Sequence, residues 1–86
     1  MPEICRFFGI VIQMFFTDHA PPHFHVRYGR RTASVGIDPL RLIEGAMPPR
    51  VLGMVFEWAL LHQERLVENW ELARAGKSPK RIPPLE

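Results

Sequence analysis

The stretch DHAPPHFHVRYG, residues 18–29, decides the fold of this chain. Successive side chains of a β-strand point to opposite faces, so an extended segment 23–28 separates its histidines and arginine from its apolar side chains. A sheet that packs on only one side shows this alternation. Two prolines stiffen the entrance to the segment. The stretch therefore predicts a half-buried strand whose polar face carries His23, His25 and Arg27.

The segments before and after this strand alternate as well. Residues 10–16 predict the preceding strand and residues 32–37 the following one, which is joined to the first by a tight turn at residues 29–30. A shorter strand is predicted at residues 3–8, and residues 40–43 are a candidate for a further short edge strand. The expected sheet is an antiparallel β-meander of about four strands.

The C-terminal half of the chain changes to helical spacing. Apolar residues recur at that spacing over residues 49–76, which predicts one long amphipathic C-terminal α-helix packed on one face of the sheet. A straight helix of about 26 residues would extend about 39 Å, compared with about 23 Å for a seven-residue strand. Either the helix breaks around residues 62–64, or its second half projects and packs Leu66, Trp70 and Leu72 against another chain. We favour the second hypothesis, which predicts self-association.

Composition and charge limit the class of protein. The 86 residues suffice for one α+β domain, predicted over residues 1–76, with an extended tail at residues 77–86. With 47% hydrophobic and 23% charged residues, the chain has the composition of a soluble globular protein. A single cysteine favours a reducing, cytoplasmic compartment. The net charge of +2 is compatible with an anionic partner.

Three chemistries suit the side chains of the predicted polar face. In the first, His23 and His25 aim two imidazoles at a divalent metal ion. A third ligand would come from His19 or Asp18. In the second, the same two histidines act as general acid and base on a phosphodiester while Arg27 holds the phosphate. In the third, the face binds phosphates or a protein without turnover.

The remaining candidates are binding residues of the same region and of the helix. They are Gln13, Asp18, His19, Thr32, Ser34 and Trp70. No cofactor is predicted apart from the divalent metal ion. A purely structural role for the histidines stays open, because imidazoles can also satisfy the backbone groups of a turn.

Three segments give the chain a family resemblance. They are Pro2-Glu3-Ile4 to Phe8-Gly9-Ile10, the segment FTDHAPPHFHVRYG and the helix end EWALLHQERLVENWELARAGK. They resemble small bacterial proteins grouped as the domain-of-unknown-function family numbered 4160. The matching motif positions are Asp18, His19, Pro21, Pro22, His23, Phe24, His25, Tyr28, Gly29, Trp58, Asn69 and Trp70.

The resemblance implies a compact bacterial cytoplasmic protein. Genes of the family often neighbour those of another small family, numbered 2442, in an arrangement that looks like a toxin–antitoxin pair, and some members are labelled transcriptional regulators. No catalytic residues are implied. Family members often carry an acidic residue where Arg30 or Arg31 stands, so the basic hairpin tip distinguishes this chain.

Taken together, the residues and the resemblance predict an interaction protein of a two-gene, toxin–antitoxin-like or regulatory module. We expect it to bind a small partner protein, to associate with itself through the C-terminal helix, and to have nucleic acid as a further candidate ligand. The alternative, from another class, is a small hydrolase or nuclease that uses His23 and His25, with or without a bound metal.

Overall fold

The structure is a computed structural model and describes residues 3–16 and 19–86. Its elements are β1 (Glu3–Phe7), β2 (Ile10–Gln13), β3 (His23–Tyr28), β4 (Arg31–Ile37), β5 (Leu40–Gly45), α1 (Pro49–Leu61) and α2 (Gln63–Arg74). The predicted α+β class is confirmed. The expected four strands and single long helix are wrong in number, because the described residues form five strands and two helices. Neither helix of the described segments has the length and apolar character needed to cross a membrane.

The sheet is an antiparallel meander. Each strand pairs with the next one in the chain, so the spatial order is β1-β2-β3-β4-β5. The central strand has the predicted bounds, the tight turn at residues 29–30 is where it was expected, and a second tight turn occupies residues 38–39. The second strand ends at Gln13, three residues before the predicted end at residue 16.

One face of the sheet forms the core. Phe24 and Val26 on β3 are at most 1% exposed, and the Phe24 ring lies edge-on to the indole of Trp58, with ring centroids 5.9 Å apart. Trp58 belongs to α1, whose buried residues also include Val51 and Val55. The helix therefore covers the apolar face of β3, and the alternation of β3 turns its polar side chains to the other face.

The C-terminal helix breaks at His62, whose φ of −121° lies outside the helical range. Directly after the break, the side-chain amide of Gln63 donates to the carbonyl oxygen of Ile37 at 2.7 Å, which fixes the turn against the end of β4. The longest dimension of the molecule is 33 Å, too short for a straight helix of about 39 Å. Leu66 and Trp70 are 0% and 2% exposed within their own chain. The hypothesis of a projecting second half is therefore wrong.

The C-terminal tail, which has no helix or strand, runs beside β1. The amide of Ile82 donates to the carbonyl of Ile4 at 2.9 Å, and the Arg81 guanidinium contacts the Glu3 carboxylate at 3.1 Å. Hydrogen bonds from Arg6 and then Arg81 lower the pKa of Glu3 from 4.5 to about 2. The last residues of the chain thus cover the outer edge of the sheet at β1.

Candidate functional site

The face of the sheet opposite the core carries a line of polar side chains. The register pairs Gln13 with His25 and His25 with Ser34. Ser34 pairs in turn with Glu44. Paired residues of antiparallel strands project from the same face, with Cβ atoms about 5 Å apart. These four residues, called the polar row below, therefore lie side by side across β2 to β5.

Arg27 lies two residues beyond the polar row on β3. It pairs with Thr32 on β4 and with Val11 on β2, and both Arg27 and Thr32 are exposed. We call the polar row together with His23, Arg27 and Thr32 the open face. The alternation of the sequence predicts this grouping, and the strand register produces it.

Four aromatic rings run in series past the start of β3. The ring centroids of Phe15 and His25 are 4.5 Å apart, and those of His25 and His23 are 5.1 Å apart. The ring of His23 lies 5.3 Å from that of Trp70. Contacts of this kind restrict ring orientation. The two imidazoles are therefore held between Phe15 and Trp70.

A shallow hollow of about 200 Å³ lies beside His25. It is lined by His25, Thr32, Ala33, Ser34, Glu44 and Gly45. The Ser34 Oγ lies 3.5 Å from Nδ1 of His25, which is at the outer limit of a hydrogen bond. An imidazole, a hydroxyl and a carboxylate on adjacent strands are side chains that general acid–base chemistry uses.

Glu44 adds a residue to the predicted site. The sequence predicted that β5 ends at residue 43, whereas the strand continues to Gly45 and the register shifts between Ser34 and Val35. This bulge brings Glu44 opposite Ser34. Gly45, with a φ of +85°, approaches β4 so closely that a Cβ there would overlap the carbonyl oxygen of Thr32. The glycine was the sequence signal that could have indicated the bulge.

One of the two ring nitrogens of His23, Nδ1, is hydrogen-bonded to the backbone. Its Nδ1–H donates to the carbonyl oxygen of Pro21 at 2.7 Å. A neutral imidazole bonded in this way carries its lone pair on Nε2. Proton transfer or metal ligation through Nδ1 would therefore require this hydrogen bond to break.

The other predicted site residues have different surroundings. Trp70 is buried, and its indole N–H has no acceptor in the described part of the chain, so it reaches the open face only through its ring contact with His23. His19 is exposed in the segment between β2 and β3. Asp18 lies outside the described residues.

No metal centre is evident among residues 3–16 and 19–86, where no group of three or more His, Cys, Asp or Glu side chains could hold an ion. The predicted alternative ligand Asp18 is not among these residues. His19, His23 and His25 do not form such a group in this structure, and a metal site that uses them stays a prediction.

Comparison with known protein families finds one match. The model of the family described as Domain of unknown function (DUF4160) matches residues 9–71, which is more than half of the chain. The range includes all of the open face, and it leaves out β1 and the tail. Neither a curated protein nor a solved structure matches the chain. The chain, with its polar strand face and its two helices, therefore belongs to the DUF4160 family.

Proposed function

We propose that this protein is a binding module, the interaction component of a two-gene toxin–antitoxin-like or regulatory pair. It holds a small partner protein on the open face, and nucleic acid is the further candidate ligand. The proposal of a two-gene module rests on family resemblance alone, because genes of the family often neighbour those of a second small family. The choice of surface rests on the charges and contacts of this chain.

The proposal rests mainly on the exposed arginines at the β3–β4 hairpin, which have no ion-pair partner among the described residues. Arg27, Arg30 and Arg31 are exposed, and none of them forms an ion pair with a described residue. In the described part of the chain, Arg6 and Arg81 are paired with Glu3, whereas the other arginines are not, so the hairpin is distinguished by the three unpaired arginines that it holds within residues 27–31. Guanidinium groups without internal partners can engage carboxylates or phosphates bidentately at no cost in intramolecular ion pairs. The hairpin therefore suits an acidic partner.

The open face behind the hairpin offers hydrogen bonds to the same partner. The imidazole of His25, the hydroxyls of Thr32 and Ser34 and the carboxylate of Glu44 line one hollow. Interfaces of partners that associate and separate are polar in this way, and arginine is enriched in them. A surface with polar groups and a cationic edge thus favours reversible binding.

Replacing Arg27 with alanine should weaken partner binding about tenfold or more, because a charge-assisted contact contributes about 1.5–3 kcal/mol. The protein and the product of its neighbouring gene would be purified separately, and their affinity measured by calorimetric titration at two salt concentrations. Arg74→Ala is the matched control, since Arg74 is an exposed arginine on α2. Equal losses in both variants, or no loss at Arg27, would contradict the proposal.

Nucleic acid would be tested with the same two variants. Fluorescence anisotropy with a labelled single-stranded RNA should show a salt dependence whose slope falls by about one when Arg27 is removed. An unchanged slope would exclude Arg27 as a phosphate contact and leave the protein partner as the ligand.

A histidine-dependent hydrolase is the second candidate, and the distance of 3.5 Å between the Ser34 Oγ and the His25 Nδ1 favours it. In cleavage of a phosphodiester, one imidazole would take the proton of the attacking oxygen and the other would protonate the leaving oxygen as the P–O bond breaks. Arg27 would hold the phosphate. The ring distance of 5.1 Å places His23 and His25 close enough to share one substrate group.

If the protein is a hydrolase, His25→Ala should lower RNA cleavage by about 100-fold or more, the usual contribution of a general acid or base, and Ser34→Ala, which removes the hydroxyl beside His25, should lower it less. Ser78→Ala is the matched control, because Ser78 is an exposed serine of the tail. Circular dichroism would establish that each variant is folded. Cleavage that survives both changes would exclude this activity from the open face.

A further inference from the structure

The most exposed large apolar side chains on the helices lie at the break between them. Leu60 and Leu61, the last two residues of α1, are 68% and 69% exposed, and Val67 on α2 is 41% exposed. Isolated exposed leucines are common, but adjacent ones that flank a hollow indicate a contact surface. We call residues 60–67, together with Asp38, the elbow.

Two shallow hollows lie on the elbow and share two of their lining residues. One, of about 290 Å³, is lined by residues 60–65, and the other, of about 300 Å³, is lined by Asp38, Gln63, Glu64 and Val67. The hydrogen bond from Gln63 to the carbonyl of Ile37 fixes the ridge between them to the sheet. The elbow is therefore a preformed surface. Its exposed leucines lie beside two hollows that could accommodate the apolar side chains of a partner.

The elbow carries charges of both signs. Glu64 borders both hollows, Asp38 borders only that of Val67, and Arg65 borders only that of the leucines. Asp38, Glu64 and Arg65 form no ion pair within the described segments. A patch with charges of both signs can place each sign opposite the other when a two-fold axis brings a second copy against it.

We propose that the elbow is the contact between two copies of this chain in an isologous dimer. The leucines of each copy pack into the hollows of the other, and Glu64 of each faces Arg65 of the other. This contact replaces the predicted one through Leu66, Trp70 and Leu72, of which the first two are buried in the core. The dimer does not depend on the proposed function, because the open face lies on the sheet and the elbow lies on the helices.

Sedimentation velocity of the full chain tests the proposal, over a range from about 1 μM to about 500 μM in which weak dimers dissociate. The wild type should approach twice the chain mass of 10.0 kDa at the upper end. The double variant Leu60→Glu/Leu61→Glu should stay monomeric, with a dissociation constant at least tenfold weaker. Phe8→Asn, which removes a side chain 62% exposed at the β1–β2 turn, should dimerise like the wild type. A monomeric wild type, or a dimer that survives the double change, would overturn the proposal.

A charge exchange tests the two-fold arrangement separately. Glu64→Arg and Arg65→Glu should each weaken the dimer about tenfold, because each places like charges opposite one another across the axis. The variant that carries both changes should recover wild-type dimerisation. Failure of the double variant to recover, with the melting temperature unchanged, would contradict the isologous contact.

Discussion

Replacement of Trp58 with alanine is expected to cost about 3–5 kcal/mol of the free energy of unfolding, the range for buried tryptophan. The side chain is 0% exposed, and its ring lies 5.7 Å from Phe7 and 5.9 Å from Phe24. Its indole N–H also donates to the carbonyl oxygen of Pro83 at 2.8 Å. A domain of this size is stable by about 4–13 kcal/mol, so the substitution should remove at least about a quarter of that free energy of unfolding.

Urea denaturation followed by circular dichroism measures the loss, and Trp58→Phe separates its two causes. Phenylalanine keeps most of the apolar contact and removes the hydrogen bond to Pro83, so it should cost about 1–2 kcal/mol. A cost below about 1 kcal/mol for Trp58→Ala would mean that α1 does not pack on the sheet through this residue.

The second large effect is expected at Asn69, a side chain that is 1% exposed. Its amide donates to the carbonyl of Lys80 and its oxygen accepts the Lys80 N–H, both at 2.8 Å. Asn69→Ala removes both bonds and should release the tail, including the bond between Ile82 and Ile4. The expected cost is about 2 kcal/mol, which is about 1 kcal/mol for each hydrogen bond.

Hydrogen exchange gives the local readout for this change. The amides of Lys80 and Ile82 should exchange about 30-fold faster in Asn69→Ala, while those of the central strand β3 change less, because the tail opens before the sheet. Ser78→Ala alters an exposed tail residue and should leave the exchange rates as they are. Protected Lys80 and Ile82 amides in the Asn69 variant would show that the tail is held by other contacts.

The strands of the open face could be predicted because their signal is local. A period of two between residues 23 and 37, interrupted by a glycine at the turn, specifies which side chains share a face before any tertiary contact is known. His25, Ser34 and Arg27 were therefore placed correctly relative to one another. The buried partners Phe24 and Val26 follow from the same alternation.

The helix break could not be predicted with the same certainty because its cause is tertiary. The segment 62–64 contains neither proline nor glycine, and the apolar stripe continues across it to Leu66 and Trp70. The turn depends on a bond from Gln63 to Ile37, twenty-six residues earlier in the chain. Helical periodicity alone could not decide between a break and a projecting half.

The contact between Asn69 and the tail, and the place of Glu44, were missed for related reasons. The pairing of Asn69 with Lys80 uses backbone groups of an irregular segment, which leave no pattern in the sequence. Glu44 reaches the open face only through a bulge, and one extra residue in a strand reverses the expected facing of every residue after it.

The most direct measurement of the central claim is an NMR titration of the ¹⁵N-labelled protein with the proposed partner, the separately purified and unlabelled product of the gene adjoining its own. Our account predicts that amide shift changes concentrate on β3 and β4, at His25, Arg27, Thr32 and Ser34, and that the outer side of α2 around Arg74 is unaffected. Shift changes confined to the helices, with the open face of the sheet unchanged, would contradict it.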